Sequence, residues 1–197
     1  MFDISISDDD MNGIKIFTNA EWIKEEYSNS YFEFVEQDNE SDISIVDLDD
    51  ICTDNVAIKI NIDKYDSNID AFISKQHIRA YLELLRKFDP EVYGIGMADI
   101  TDVIMATKGV LKEYVTFKLS SDNILENIEE FKKRLRGGNL KGSAIIFLSI
   151  TDLLILDRCV KDIVELYKNL DIVMLLPNKK EEEKKEKYLE LFIFETK

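Results

Sequence analysis

Glycine is scarce in this chain, and its placement tells more than its number. Seven of the 197 residues are glycine, and only Gly13 precedes Gly94. A phosphate-binding loop needs several glycines close together, because the backbone must approach the ligand without Cβ atoms in the way. The first third of the chain cannot supply such a loop. Histidine occurs once, at His77. Any His-dependent catalytic triad or metal cluster would have to use it, and no serine or cysteine motif accompanies it. The two cysteines, Cys52 and Cys159, lie far apart in mixed contexts and read as reduced thiols of a cytoplasmic protein rather than as a disulfide. No apolar run approaches the roughly 18 residues of a membrane span. The opening MFDISISDDD is acidic, without the basic and then apolar regions of a signal peptide.

Positive charge is also missing from one end. Residues 1–73 hold nineteen acidic and four basic side chains, and residues 74–197 hold twenty-one of each, so the net charge of −15 resides in the first 73 residues. A nucleic-acid partner would need concentrated Lys and Arg. The acidic third therefore reads as a solvated surface or as a docking face for something basic. Asp8-Asp9-Asp10 lacks the spaced ligands and the glycine of a calcium loop.

What is present is a succession of well-patterned elements. Short alternating segments at 3–7, 13–18, 31–36, 42–48 and 55–62 predict strands; in the last, Val56, Ile58, Ile60 and Ile62 recur with a period of two. Asn19 can cap a short helix over 20–27, where Trp22, Ile23 and Tyr27 form a local anchor. Ile69, Phe72, Ile73, Ile78, Tyr81, Leu82 and Leu85 predict one long helix over 67–88, stopped by Asp89-Pro90. A short helix over 99–107 and a strand over 110–119 follow. Ser121 can cap a helix over 122–136, which the pair Gly137-Gly138 ends. The sequence Arg134-Leu-Arg-Gly-Gly138 has the letters of the ubiquitin tail, but in mid-chain it reads as a basic helix end with a glycine stop. The apolar run at 143–150 suits a strand covered on both faces. A helix to 169 follows, with Leu153, Leu156, Val160, Ile163, Val164 and Tyr167 expected on its inner face and Cys159 on or beside it. A strand over 172–176, a charged turn over 177–187 and a strand over 188–194 come last. The strands flanking the helix should run parallel, and the final two should form an antiparallel hairpin.

Several phrases in this stretch resemble the C-terminal domain of FtsZ, the bacterial tubulin homologue. Asn139-Leu-Lys-Gly-Ser-Ala-Ile-Ile-Phe-Leu-Ser-Ile-Thr151 looks like that family's strand IKGAxGxLxNIT. Asp152-Leu-Leu-Ile-Leu-Asp-Arg-Cys-Val160 looks like its helix start DLTLxEV. Asp171-Ile-Val-Met-Leu-Leu176 and Tyr188-Leu-Glu-Leu-Phe-Ile-Phe194 match the two last strands, Asp99-Ile-Thr-Asp-Val103 looks like DFADV, and Lys108-Gly109 fits GKG. The resemblance covers about 67–197, with the predicted helix 67–88 in the place of the family's central helix. It implies an α/β (α+β) fold, a mixed four-stranded sheet with packed helices over 67–197, preceded by an acidic β-rich segment over 1–66.

Two departures shape what the resemblance implies. The family's GTP-binding domain is larger than some seventy residues and uses a glycine-rich loop, so this chain is not expected to bind GTP in the family's manner, and no cofactor or metal is expected. The family also presents an Asn and two acids to a neighbouring subunit's GTP. Aligned through Asp99 and Asp102, the Asn position is Met97; an alternative alignment puts Asp99 at the second acid and glycines at the other two positions. Asp99 and Asp102 are the candidates for acting on a partner's nucleotide, and otherwise serve as a helix cap and a solvated first-turn acid. The expectation is a non-enzymatic protein whose partner is an FtsZ-type filament or another copy of itself. The alternatives are an activator of a partner's GTPase, or an unrelated acidic α/β binding module.

Overall fold

The computed structural model describes residues 13–28, 31–47, 58–64, 69–88, 100–119, 124–177 and 186–196. The expected mixed α/β architecture is present. Its strands are β1 (Lys15–Thr18), β2 (Glu33–Val35), β3 (Ile43–Val46), β4 (Ile58–Asn61), β5 (Ala71–Phe72), β6 (Gly109–Leu119), β7 (Gly138–Leu148), β8 (Tyr167–Leu175) and β9 (Lys187–Glu195). The helices are α1 (Glu21–Tyr27), α2 (Lys75–Arg86), α3 (Ile100–Ala106), α4 (Ile124–Arg134) and α5 (Leu153–Leu166). The strands form one sheet in the order β2-β1-β3-β4-β5-β6-β9-β7-β8. The four strands expected from the C-terminal region make up one end of it. Five more continue the same sheet, so residue 66 falls between β4 and β5, which pair with each other.

From β2 to β6 every pairing is parallel, and so is β7 with β8. β9 is antiparallel to both of its neighbours, β6 and β7. This corrects the expected final hairpin: β9 does not lie beside β8 but enters between β6 and β7. The physical reason is visible in its sequence. Leu189, Leu191 and Ile193 pack on one face and Phe192 and Phe194 on the other. A strand apolar on both faces belongs in the middle of a sheet rather than at its edge.

β7 shows the same two-sided alternation. Ala144, Ile146 and Leu148 join the cluster formed by α4 and α5, whereas Ile145 and Phe147 join the cluster formed by α1, α2 and α3. Each large apolar side chain so enclosed contributes about 1.5–3 kcal/mol. The run at 143–150 is thus read correctly as a strand covered on both faces.

Three local expectations need correction. The helix expected over 67–88 is α2, Lys75–Arg86, preceded by a strand. Ala71 pairs with Ile60 on one side and Gly109 on the other, and these pairings fix its neighbourhood as extended. On α5 the buried residues are Ile155, Leu156, Cys159, Asp162 and Ile163. Leu153 and Val164 are exposed, so the inner face is rotated by about one position, and Tyr167 opens β8 instead of closing the helix. Of the two residues able to cap α5, Thr151 and Asp152, it is Asp152 that does so, accepting from the N–H groups of Leu154 and Ile155 at 2.9 and 3.2 Å. Gly137, at φ 69°, is the left-handed stop just beyond α4. The expected strand at 3–7, most of the charged turn over 177–187, the Asp89-Pro90 stop and the Ser121 cap, together with Asp8–Asp10, Cys52, Met97 and Asp99, lie outside the described residues.

Candidate functional site

In an open sheet, ligands bind outside the carboxyl ends of parallel strands, at the point where neighbouring strands diverge in chain order. Here that point is β1, flanked by β2 and β3. The connection from β1 into α1 is only Asn19 and Ala20. Asn19 lies one residue before the N-cap position of α1, which is Ala20. Its Nδ2 donates to the Asp47 carbonyl at 2.7 Å, and its Oδ1 accepts from the Asp47 N–H at 2.7 Å. The side chain thus imitates a strand and fastens the end of β1 to the end of β3. Thr18 Oγ1 accepts from the Ala20 N–H at 3.1 Å, tightening the same turn.

Acids and one lysine surround this closure. Lys75 Nζ, at the start of α2, lies 2.8 Å from Asp47 Oδ2 and 3.8 Å from Asp63 Oδ1. The hydrogen bond to Asp47 raises the Lys75 pKa. Asn61 Oδ1 accepts from the N–H groups of Asp63 and Lys64, both at 2.8 Å, and so folds the chain back at the end of β4. α1 carries Glu21 in its first turn, which places negative charge where a phosphate would need positive. Gly13 sits at the opposite end of β1, where a Cβ would lie 1.7 Å from the Tyr31 carbonyl oxygen. Its role is close packing of β1 on β2. Among the described residues, this end of the sheet offers a closed turn and acidic groups, not an anion cradle.

The second candidate region surrounds α3. Asp102 is exposed in the first turn of that helix. α3 packs on β7 and β8, and Ser143 Oγ donates to the Ala106 carbonyl at 2.5 Å. Beside its C-terminal end is an open cleft of about 580 Å³, lined by Met105, Lys141, Asn169, Asp171 and Thr196 among others.

The other singled-out residues have structural partners. His77 Nδ1 is 3.2 Å from Ser74 Oγ, and Gln76 Nε2 is 3.0 Å from His77 Nε2. With Gln76 donating, the ring is the neutral form carrying its proton on Nδ1, and burial lowers its pKa. Cys159 is fully buried, and burial, reinforced by Asp162, pushes its thiol up to about 12. Trp22 lies under the Arg79 guanidinium, 5.0 Å from the ring centroid, and Glu26 holds Arg79 through two contacts of 3.0 and 2.9 Å. Arg134 stacks over Phe117 at 4.6 Å. No cluster of three or more metal-binding side chains occurs among the described residues.

One constellation has no signal in the sequence. Lys87, just beyond α2, is buried with its Nζ 2.9 Å from Glu190 Oε2 on β9. Tyr114 donates to the other Glu190 oxygen at 3.2 Å, and the Lys87 ammonium lies 4.8 Å from the Phe147 ring centroid.

No protein-family model matches the chain, and no curated protein matches it. Among solved structures, the chain is similar to CetZ from Methanosaeta thermophila strain DSM 6194, with 12% identity and a TM-score of 0.37. The alignment covers 89% of this chain and 55% of that one, so the chain spans about half the length of CetZ. No helix among the described residues is long and apolar enough to cross a membrane.

Proposed function

We propose that this chain is a non-enzymatic, cytoplasmic interaction protein of FtsZ/tubulin-like build that binds a cytoskeletal or cell-division filament. The observation supporting this reading is the closed turn at the end of β1. The Asn19–Asp47 pairing stands where an open sheet of this kind would hold a phosphate loop. The elements α3, β6, β7, α5, β8 and β9 fall where the phrases resembling that family lie. In this reading the partner supplies the nucleotide. The test is co-sedimentation of the pure protein with FtsZ polymerised by GTP, together with FtsZ GTP turnover. Pelleting with the polymer, or altered assembly, supports the reading; a protein that stays in the supernatant and changes neither quantity sinks it. A companion thermal melt with GTP or GDP is expected to show no shift.

A second reading, activation of a partner's GTPase, rests on Asp102, which is exposed in the first turn of α3. With Asp99 it would orient a water at the partner's nucleotide. Unchanged partner GTP turnover after the double substitution Asp99→Ala/Asp102→Ala would remove this reading.

A further inference from the structure

The two ends of the sheet are unequal. β2 spans three residues, whereas β8 spans nine and, among the described residues, pairs only with β7. An outermost strand presents a row of unpaired N–H and C=O groups that can template another strand, and proteins usually blunt such edges by shortness, proline, bulges or a covering segment. β8 is long and contains no proline. Its only register irregularity lies near its start, between Gly138 and Lys141 of β7.

The side chains of β8 divide cleanly. Leu170, Ile172 and Met174 lean on the α4–α5 side, and Val173 leans on the α1–α3 side. All four are only half-buried. By alternation, Asn169 and Asp171 share the side of Val173, and both line the cleft beside α3. Lys168, Asn169 and Asp171 are exposed, and neither Lys168 nor Asp171 has an ion-pair partner among the described residues.

We propose that β8 is a self-association edge, and that two copies of this chain join β8 to β8 in antiparallel fashion about a two-fold axis. In such a pair, residues directly opposite share a face, so the two positions differ by an even number or are the same residue. Centring the axis on Asp171 would set two carboxylates against each other, which is unfavourable. Centring it on Leu170 avoids this clash. Leu170 meets the second copy's Leu170, and Ile172 lies over the methylene stem of the second copy's Lys168. Asn169 stands opposite the second copy's Asp171, an amide donor facing a carboxylate, and the two-fold repeats each contact. Asn169 keeps a second amide hydrogen for this purpose, since Nδ2 donates once already, to Asn139 Oδ1 at 2.8 Å. The occupant is a second copy because this register complements itself, apolar side chain against apolar side chain and amide donor against carboxylate acceptor. The two clefts beside α3 then run together across the axis. This inference does not depend on the filament-binding reading.

The test uses the full chain alone. Sedimentation velocity over a range of concentrations is expected to show a monomer–dimer equilibrium, which Leu170→Asp shifts toward monomer by about tenfold or more in dissociation constant. Circular dichroism confirms that this variant folds. In a Cys52→Ser background, Leu170→Cys is expected to give a covalent dimer on mild oxidation, because residues on the axis bring their Cβ atoms together, whereas Asp171→Cys is not. A chain that stays monomeric at every concentration overturns the proposal. So does a dimer that withstands Leu170→Asp and leaves Leu170→Cys uncrosslinked, because it must use another surface. A strand donated by a different protein would show as binding by a monomeric chain, and that too overturns self-association.

Discussion

Lys87 and Glu190 form a buried ion pair, 2.9 Å from Nζ to Oε2, with side chains 7% and 11% exposed. It joins the end of α2 to the strand that completes the sheet. Breaking such a pair from one side strands a charge in the interior, at a cost of about 3–5 kcal/mol. Glu190→Gln is therefore expected to lower the guanidinium midpoint markedly. The double substitution Lys87→Met/Glu190→Leu should recover most of the loss. If the double variant is no more stable than the single one, the pair does not act as a unit.

Gly109 offers a sharper test of backbone geometry. Its φ is +116°, and an added Cβ would lie 2.3 Å from the Glu195 carbonyl oxygen. The atoms it would meet, in Glu195 and Thr196, are all backbone, so nothing nearby can rotate away. Gly109→Ala is expected to cost about 3 kcal/mol or more, read by urea denaturation. The loss should appear where β6 meets β9, as faster amide exchange in Val110 and Leu111.

The clamp between β1 and β3 predicts a smaller penalty. Asn19→Ala removes both hydrogen bonds to the Asp47 backbone. A loss of about 1–3 kcal/mol is expected, because two backbone groups are left without partners. Asn19→Asp can still accept from the Asp47 N–H but sets a carboxylate against the Asp47 carbonyl, so it should not rescue. Equal stability of wild type and Asn19→Ala would show that the clamp is decorative.

His77 supplies a pH dependence with a definite sign. Burial lowers its pKa in the folded protein. As pH falls through the ordinary histidine range, near 6.5, the unfolded chain takes up a proton that the folded chain resists, and stability drops. Above that range the contribution is fully present. Wild type should therefore lose more stability than His77→Asn between roughly pH 7.5 and pH 5.5. Parallel curves for the two proteins would argue against any role for the ring's environment.

What the sequence made legible was whatever depends on near neighbours. Ile58 and Ile60 alternate and form β4; Asp152 precedes an apolar stretch and caps α5; Ala144 to Leu148 are apolar throughout and lie covered on both sides. The strand at Ala71-Phe72 was hidden because Ile69, Phe72 and Ile73 have the spacing of a helix, and two residues are too few to show a period of two. Asn19 suits a helix cap and a strand clamp equally well, since its amide imitates backbone in either setting. Lys87 and Glu190 are 103 residues apart, so neither could announce the other. Of the two candidate acids, Asp102 lies on an exposed helix turn, as a first-turn acid should.

The position of β9 governs the order in which this molecule can be assembled. β6 and β7 are not hydrogen-bonded to each other; each reaches the other only through β9. Until that strand emerges from the ribosome, β1 to β6 and the β7–β8 pair are two unconnected sheets with open edges. Closure of the interior is then a late, long-range step, slow by nature and exposed to mispairing. The chain stays vulnerable at β6 and β7 until β9 has been synthesised and has inserted between them.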